Sequence, residues 1–98
     1  MLFVIIFTDK PGHAALRAAH LQAHIDGLER NKDAVPVAGS LRHAPGDAPK
    51  GGLWIAEADS KAQIEALIQT DPFFAAGLRQ SHEILHWSKA NEERRALI

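Results

Sequence analysis

The hydrophobic pattern changes period several times along the chain, and each change marks an element. Leu2 to Thr8, LFVIIFT, is an apolar run rich in β-branched and aromatic residues. That is the pattern of a strand buried on both faces, hence central in its sheet. Asp9-Lys10-Pro11-Gly12 closes it with turn residues, and Pro11 suits the first turn of a following helix. The period then lengthens to that of a helix. Ala14, Ala18, Leu21, Ile25 and Leu28 form one narrow apolar stripe, on a helix expected to end at Asn31-Lys32-Asp33. Gln22, Asp26, Glu29 and Arg30 fall on its solvent side. Arg17, His20 and His24 form a second stripe on one edge of the buried face. A cation and two imidazoles at the border of a core make the stretch Arg17 to Leu28 the one around which the rest is read.

Ala34 to Leu41, AVPVAGSL, is apolar again. Pro36 cannot donate to a ladder, so an edge strand or one beginning after Pro36 is expected. RHAPGDAPKGG, residues 42–52, is Pro- and Gly-rich and reads as a mobile loop. Leu53 to Ala58, LWIAEA, is a third strand with Trp54, Ala56 and Ala58 on one face. Asp59-Ser60 is a helix N-cap signal with Gln63 at the capping-box position. Ile64, Leu67 and Ile68 give the second helix its apolar face. Asp71-Pro72 interrupts it. Phe73 to Leu78 fits one helical turn before Gly77, and Gln80 to Trp87 reads as the last strand. Ser88 to Ile98 is a charged tail, read as a frayed helix or an arm that docks on a partner.

The order strand, helix, strand, strand, helix, strand predicts an α+β fold, the ferredoxin-like sandwich in one domain spanning 1–98. Both helices would cover one face of an antiparallel sheet. The first strand is apolar on both faces, and Ile84 and Trp87 point to opposite sides of the last. A second copy is the expected cover for the open face, giving a homodimer packed sheet to sheet.

Composition narrows the classes of function. The 98 residues are 46% hydrophobic and 23% charged, with 11 basic and 12 acidic side chains and a net charge of −1. That balance gives no footprint for nucleic acid or an anionic membrane. The apolar N-terminus is only a strand long and lacks a basic leader, so it does not read as a signal peptide, and no run is long enough for a membrane helix. Cysteine is absent, which excludes disulfides and thiolate chemistry. A cytoplasmic protein is the simplest case.

The chemistry then falls to histidines and carboxylates. A carboxylate on one imidazole nitrogen fixes the tautomer and frees the other for general acid/base work. His20, on the first helix, and Asp71, at the break before Pro72, are the expected pair, with Arg17 one turn earlier to hold an anionic group. The plainer alternatives are a helix cap for Asp71 and a surface ion pair for Arg17. His20 and His24 have the spacing of two metal ligands, but Leu21 stands where HExxH requires Glu and no third ligand is evident, so no metal is expected. His82 and His86, with Ile84 between them, are expected at the dimer interface. Gly39-Ser40 and Gly51-Gly52 flank the mobile loop and could leave backbone free to meet a ligand. No phosphate-loop or dinucleotide motif occurs, so no cofactor is expected. Phe73 and Phe74 read as core, with Phe73 able to wall a pocket.

Together, RAAHL at 17–21, AGS at 38–40, GGLWIAEADS at 51–60, DPFFAAGL at 71–78 and a last strand ending in an aromatic resemble the YciI-like (YCII-related) family, in order and over nearly the whole chain. The resemblance implies a dimeric α+β barrel with an active-site dyad made by the RxxHL histidine and the DP-motif aspartate, by position His20 and Asp71. It also implies a lyase-, dehydrochlorinase- or isomerase-like proton transfer on a small anionic or phenolic substrate, with Arg17, Gly39, Ser40 and Phe73 around it. Ser40 stands where the family commonly has Pro. The alternative is a non-catalytic metabolite-binding or accessory homodimer.

Overall fold

A computed structural model describes residues 1–91 and Glu93. The elements are β1 (Leu2–Asp9), α1 (Ala14–Arg30), β2 (Val37–Leu41), β3 (Gly51–Glu57), α2 (Lys61–Gln69), α3 (Pro72–Ala75) and β4 (Arg79–His86). The sheet is antiparallel in the order β2-β3-β1-β4. This is the ferredoxin-like α+β sandwich, with the apolar β1 run central as its composition requires. β2 begins directly after Pro36 and lies at the edge, where a missing donor costs nothing. The greater part of the tail expected from Ser88 to Ile98 lies outside the described residues. Among those residues no helix is long and apolar enough to cross a membrane.

Alternation along β1 sends Phe3, Ile5 and Phe7 to the helix side, where each is 0–1% exposed. Trp54 and Ala56 of β3, Ile64 and Ile68 of α2, and Val35 close around them. Each buried Val, Ile or Phe among them contributes roughly 1.5–3 kcal/mol. Ser60 caps α2 through its Oγ, which accepts from the Gln63 amide at 3.3 Å, and the Gln63 side chain accepts from the Asp59 amide at 2.8 Å. α3 is the single turn expected after Asp71, whose side chain accepts from the Phe73 amide. It ends at Gly77, with φ +82°.

Two expectations about faces are corrected. The stripe Ala14, Ala18, Leu21, Ile25 does not face the core: all four are exposed, Leu21 by 41% and Ile25 by 47%. α1 instead turns Leu16, Arg17, His20, His24, Gly27 and Leu28 inward, and of these only Gly27 is fully buried. The reason is electrostatic. Buried Asp9, Asp71 and Arg79 lie beneath the helix and take the polar edge of α1 as their complement. His82 and His86, in turn, do not lie on the open sheet face. Their register with Phe7 and Phe3 puts them on the helix side, where the His86 ring is 4.6 Å from Phe3 and His82 pairs with Glu65 of α2 at 2.9 Å.

Candidate active site

Asp9 is the first component. It continues the Phe3-Ile5-Phe7 alternation, so its carboxylate is in line with core positions. A register shift between Thr8 and Asp9 in the β1–β4 ladder pairs Asp9 with Arg79 rather than Gln80. Such a bulge re-aims the side chain beside it. Without it Arg79 would point to the face opposite His82. With it, the guanidinium enters the molecule, 8% exposed, and its Nη1 donates to Asp9 Oδ1 at 2.7 Å. Arg17 Nη2 of α1 donates to the other oxygen, Oδ2, at 2.6 Å. One carboxylate thus joins two guanidinium groups, and Arg79 reaches within 4.0 Å of Asp71 Oδ2.

His24 and Asp71 form the second component. The Nδ1 of His24 donates to Asp71 Oδ1 at 2.6 Å, with side chains 11% and 4% exposed. The short distance is that of a charge-assisted bond. The Phe73 ring stacks on the imidazole at 4.0 Å between centroids, 15° from parallel, and the Arg17 and Arg79 guanidinium groups lie 4.9 and 5.1 Å from the same ring. Phe73 therefore wedges the imidazole from behind; it is 1% exposed and core in character.

The expected partner of Asp71 was His20, and this is corrected: the bond is made by His24, one turn farther along α1. Among the described residues His20 makes no hydrogen bond to Asp71 or to any other group. The reason lies at the helix crossing. Gly27 is buried, and a Cβ there would meet Pro72 Cδ at 3.9 Å, so α1 and α3 touch at this point. Asp71, next to Pro72, is level with the turn just before Gly27, which is His24. His20 is about 6 Å farther along the axis.

The exposed apolar stripe of α1 now has a role. Ala14, Ala18, Leu21, Ile25 and Leu28 form one wall of a cleft of about 500 Å³. Ala38, Gly39, Ser40, Arg42 and Pro49 form the other, and Arg17, His24, Gly51, Gly52 and Arg79 form the floor. Its size suits a small organic ligand. Of the expected site residues, Arg17, Gly39 and Ser40 line it, while Phe73 and Asp71 stand behind the His24 ring. Ser40 Oγ is engaged by Arg42 Nη2 at 2.5 Å, which draws a third guanidinium to the rim. The glycines of the floor are structural. A Cβ on Gly51 would sit 1.9 Å from the Phe7 carbonyl oxygen, and one on Gly52 only 3.4 Å from Arg79 Nη2.

Arg79, Asp9 and the role of His24 were not among the residues singled out for the site. For Asp9 a signal existed, an acid in step with core positions. For Arg79 none did, because a bulge leaves no mark in periodicity.

The chain belongs to the YCII-related family, whose model matches residues 1–88. Among solved structures it is similar to the 5-chloro-2-hydroxyhydroquinone dehydrochlorinase TftG of Burkholderia phenoliruptrix AC1100, determined in complex with 2,5-dihydroxybenzoquinone. The identity is 30% over 90% of this chain and 94% of that one, with a TM-score of 0.82. It is also similar to an antibiotic biosynthesis monooxygenase-type protein of Bacteroides thetaiotaomicron, 16% identical over 97% of this chain and 93% of the other, with a TM-score of 0.56, a likeness of fold alone. No curated protein matches the sequence.

Proposed function

We propose that this protein is an acid/base enzyme acting on a small hydroxylated ring, with His24 as the proton-transfer residue and Asp71 as its positioning partner. The observation that carries the reading is the 2.6 Å bond from His24 Nδ1 to Asp71 Oδ1 at the floor of an open cleft. With Nδ1–H committed to a carboxylate, Nε2 is the nitrogen left to accept or deliver a proton. Arg17 and Arg79 place positive charge beside a ring oxygen that becomes an oxyanion. The apolar α1 wall takes the ring face. Similarity to a dehydrochlorinase supports this substrate class.

On a halogenated hydroxyquinol the chemistry needs no external oxidant. One hydroxyl proton leaves as a proton is delivered to the halogen-bearing carbon, giving a keto tautomer. A second hydroxyl proton then leaves as the carbon–halogen electron pair departs with the halide. The ring becomes a hydroxyquinone, and the sum loses one proton and one halide. A single imidazole can serve these transfers in turn.

Steady-state turnover of 5-chloro-2-hydroxyhydroquinone tests the assignment. His24→Ala should lower kcat/KM by about 10²- to 10⁴-fold. Asp71→Asn should also lower kcat, because the amide no longer enforces the tautomer. His20→Ala should stay within about tenfold of the parent, since its ring is outside the pair. A larger loss with His20→Ala than with His24→Ala would overturn the assignment. A protein that binds ring compounds and turns none over would instead be a metabolite-binding dimer.

We further propose that the chain works as a homodimer through the open sheet face. Val37, Ile55, Val4 and Leu85 lie in one row across all four strands on that face, with Ile6 and Leu53 in the next. Ile6 and Leu85 are 38% and 43% exposed. Contiguous apolar area of this kind marks an interface.

A further inference from the structure

The cleft does not end at Arg17. Beyond it lies a second hollow of about 410 Å³ at the strand ends, which shares Ala14, Arg17 and Pro49 with the cleft. Its charged and imidazole groups are Asp9, Lys10, His13, Arg17, His43 and Lys50. The Asp9 carboxylate is already neutralised, one oxygen by Arg17 and the other by Arg79. Lys10 and Lys50 differ from it: among the described residues neither ammonium has an ion pair or a hydrogen bond. The hollow is therefore left with excess positive charge, because the one acid that lines it is already paired.

Both lysines are exposed, and their backbones are anchored. The Lys10 amide donates to the Leu78 carbonyl at 2.9 Å. The Lys50 amide donates to Leu41 and its carbonyl accepts from Asp9, both at 2.8 Å. His13 adds a polar group to the rim. Its Nδ1 donates to the Pro11 carbonyl at 2.8 Å, which leaves Nε2 for a ligand.

We infer that the site has two lobes and that the substrate is a hydroxylated ring bearing an acidic arm: the ring lies in the cleft against His24, and the arm passes Arg17 to end between Lys10 and Lys50. The inference rests on the ring reading of the cleft given above. A bare hydroxyquinol would fill the first lobe and leave the second without its counter-charge. A carboxylate on a short tether supplies that counter-charge.

The test compares hydroquinone, (2,5-dihydroxyphenyl)acetate and its methyl ester by calorimetry at low ionic strength. The ester keeps the shape of the arm and removes its charge. The acid is expected to bind about tenfold or more tightly than either neutral compound. In Lys10→Gln/Lys50→Gln the ratio of acid to ester affinity should fall to within about threefold of unity, and in the parent the gain should shrink steeply with added salt. Equal affinity for acid and ester, or a gain that survives the double substitution, overturns the acidic arm. Hydroquinone binding normally in that case leaves the ring reading standing. Failure of all three compounds to bind overturns the ring reading and this inference with it.

Discussion

Asp9 accepts from two arginines at once, and this small fact controls the site. It fixes Arg17 at one end of the cleft floor and, through Arg79, sets a second cation 4.0 Å from the carboxylate that orients His24. Removing one partner of a buried charge cluster strands the others. Arg79→Met should therefore destabilise the fold by about 3 kcal/mol in urea unfolding, since it leaves Asp9 with one partner and Asp71 without its nearest cation. A loss below about 1 kcal/mol would mean that the cluster is solvated in solution. At this scale the sequence was partly legible. Arg17, Gly39 and Ser40 line the cleft, and Asp71 bonds an imidazole of α1. His20 was not the partner of Asp71, because sequence spacing puts His20 and His24 on the same stripe and cannot tell which turn of α1 is level with Pro72.

Among the elements, strands and helix ends were the most legible, because they follow from alternation, Pro36, the Ser60 cap and the Asp71-Pro72 break. The facing of α1 was not. Its apolar stripe looks like a core stripe, yet three charged groups, Asp9, Asp71 and Arg79, lie beneath the helix, and only the tertiary fold reveals their burial. Those charges claim Arg17 and His24, and the helix rotates its alanines and leucines toward the cleft instead. β3 carries the opposite lesson. Gly51 looked like loop chemistry but is a close crossing with β1. Gly51→Ala should cost about 1–3 kcal/mol in thermal or urea unfolding, as the Cβ would overlap the Phe7 carbonyl. Gly39→Ala on β2, with nothing within 4 Å of its Cβ, should stay within about 0.5 kcal/mol. Equal costs at the two sites would argue against the tight β1–β3 crossing.

For the whole molecule, the sheet has one face finished and one bare. The helices seal Phe3, Ile5 and Phe7, whereas the row from Val37 to Leu85 is left to water. A chain of 98 residues gains much from covering such a face. Light scattering at micromolar concentration should give twice the 10.7 kDa chain mass, and Val4→Glu, at the centre of the row, should halve it. A parent that scatters as a single chain would remove the second copy from the account.

The imidazole and the carboxylate of the dyad come from opposite sides of the place where Pro72 rests on Gly27. The same bond that fixes the orientation of the imidazole also fastens α1 to the turn that opens α3. The pair is thus a product of assembly: prying the two helices apart along their seam separates His24 from Asp71 with no change at either residue.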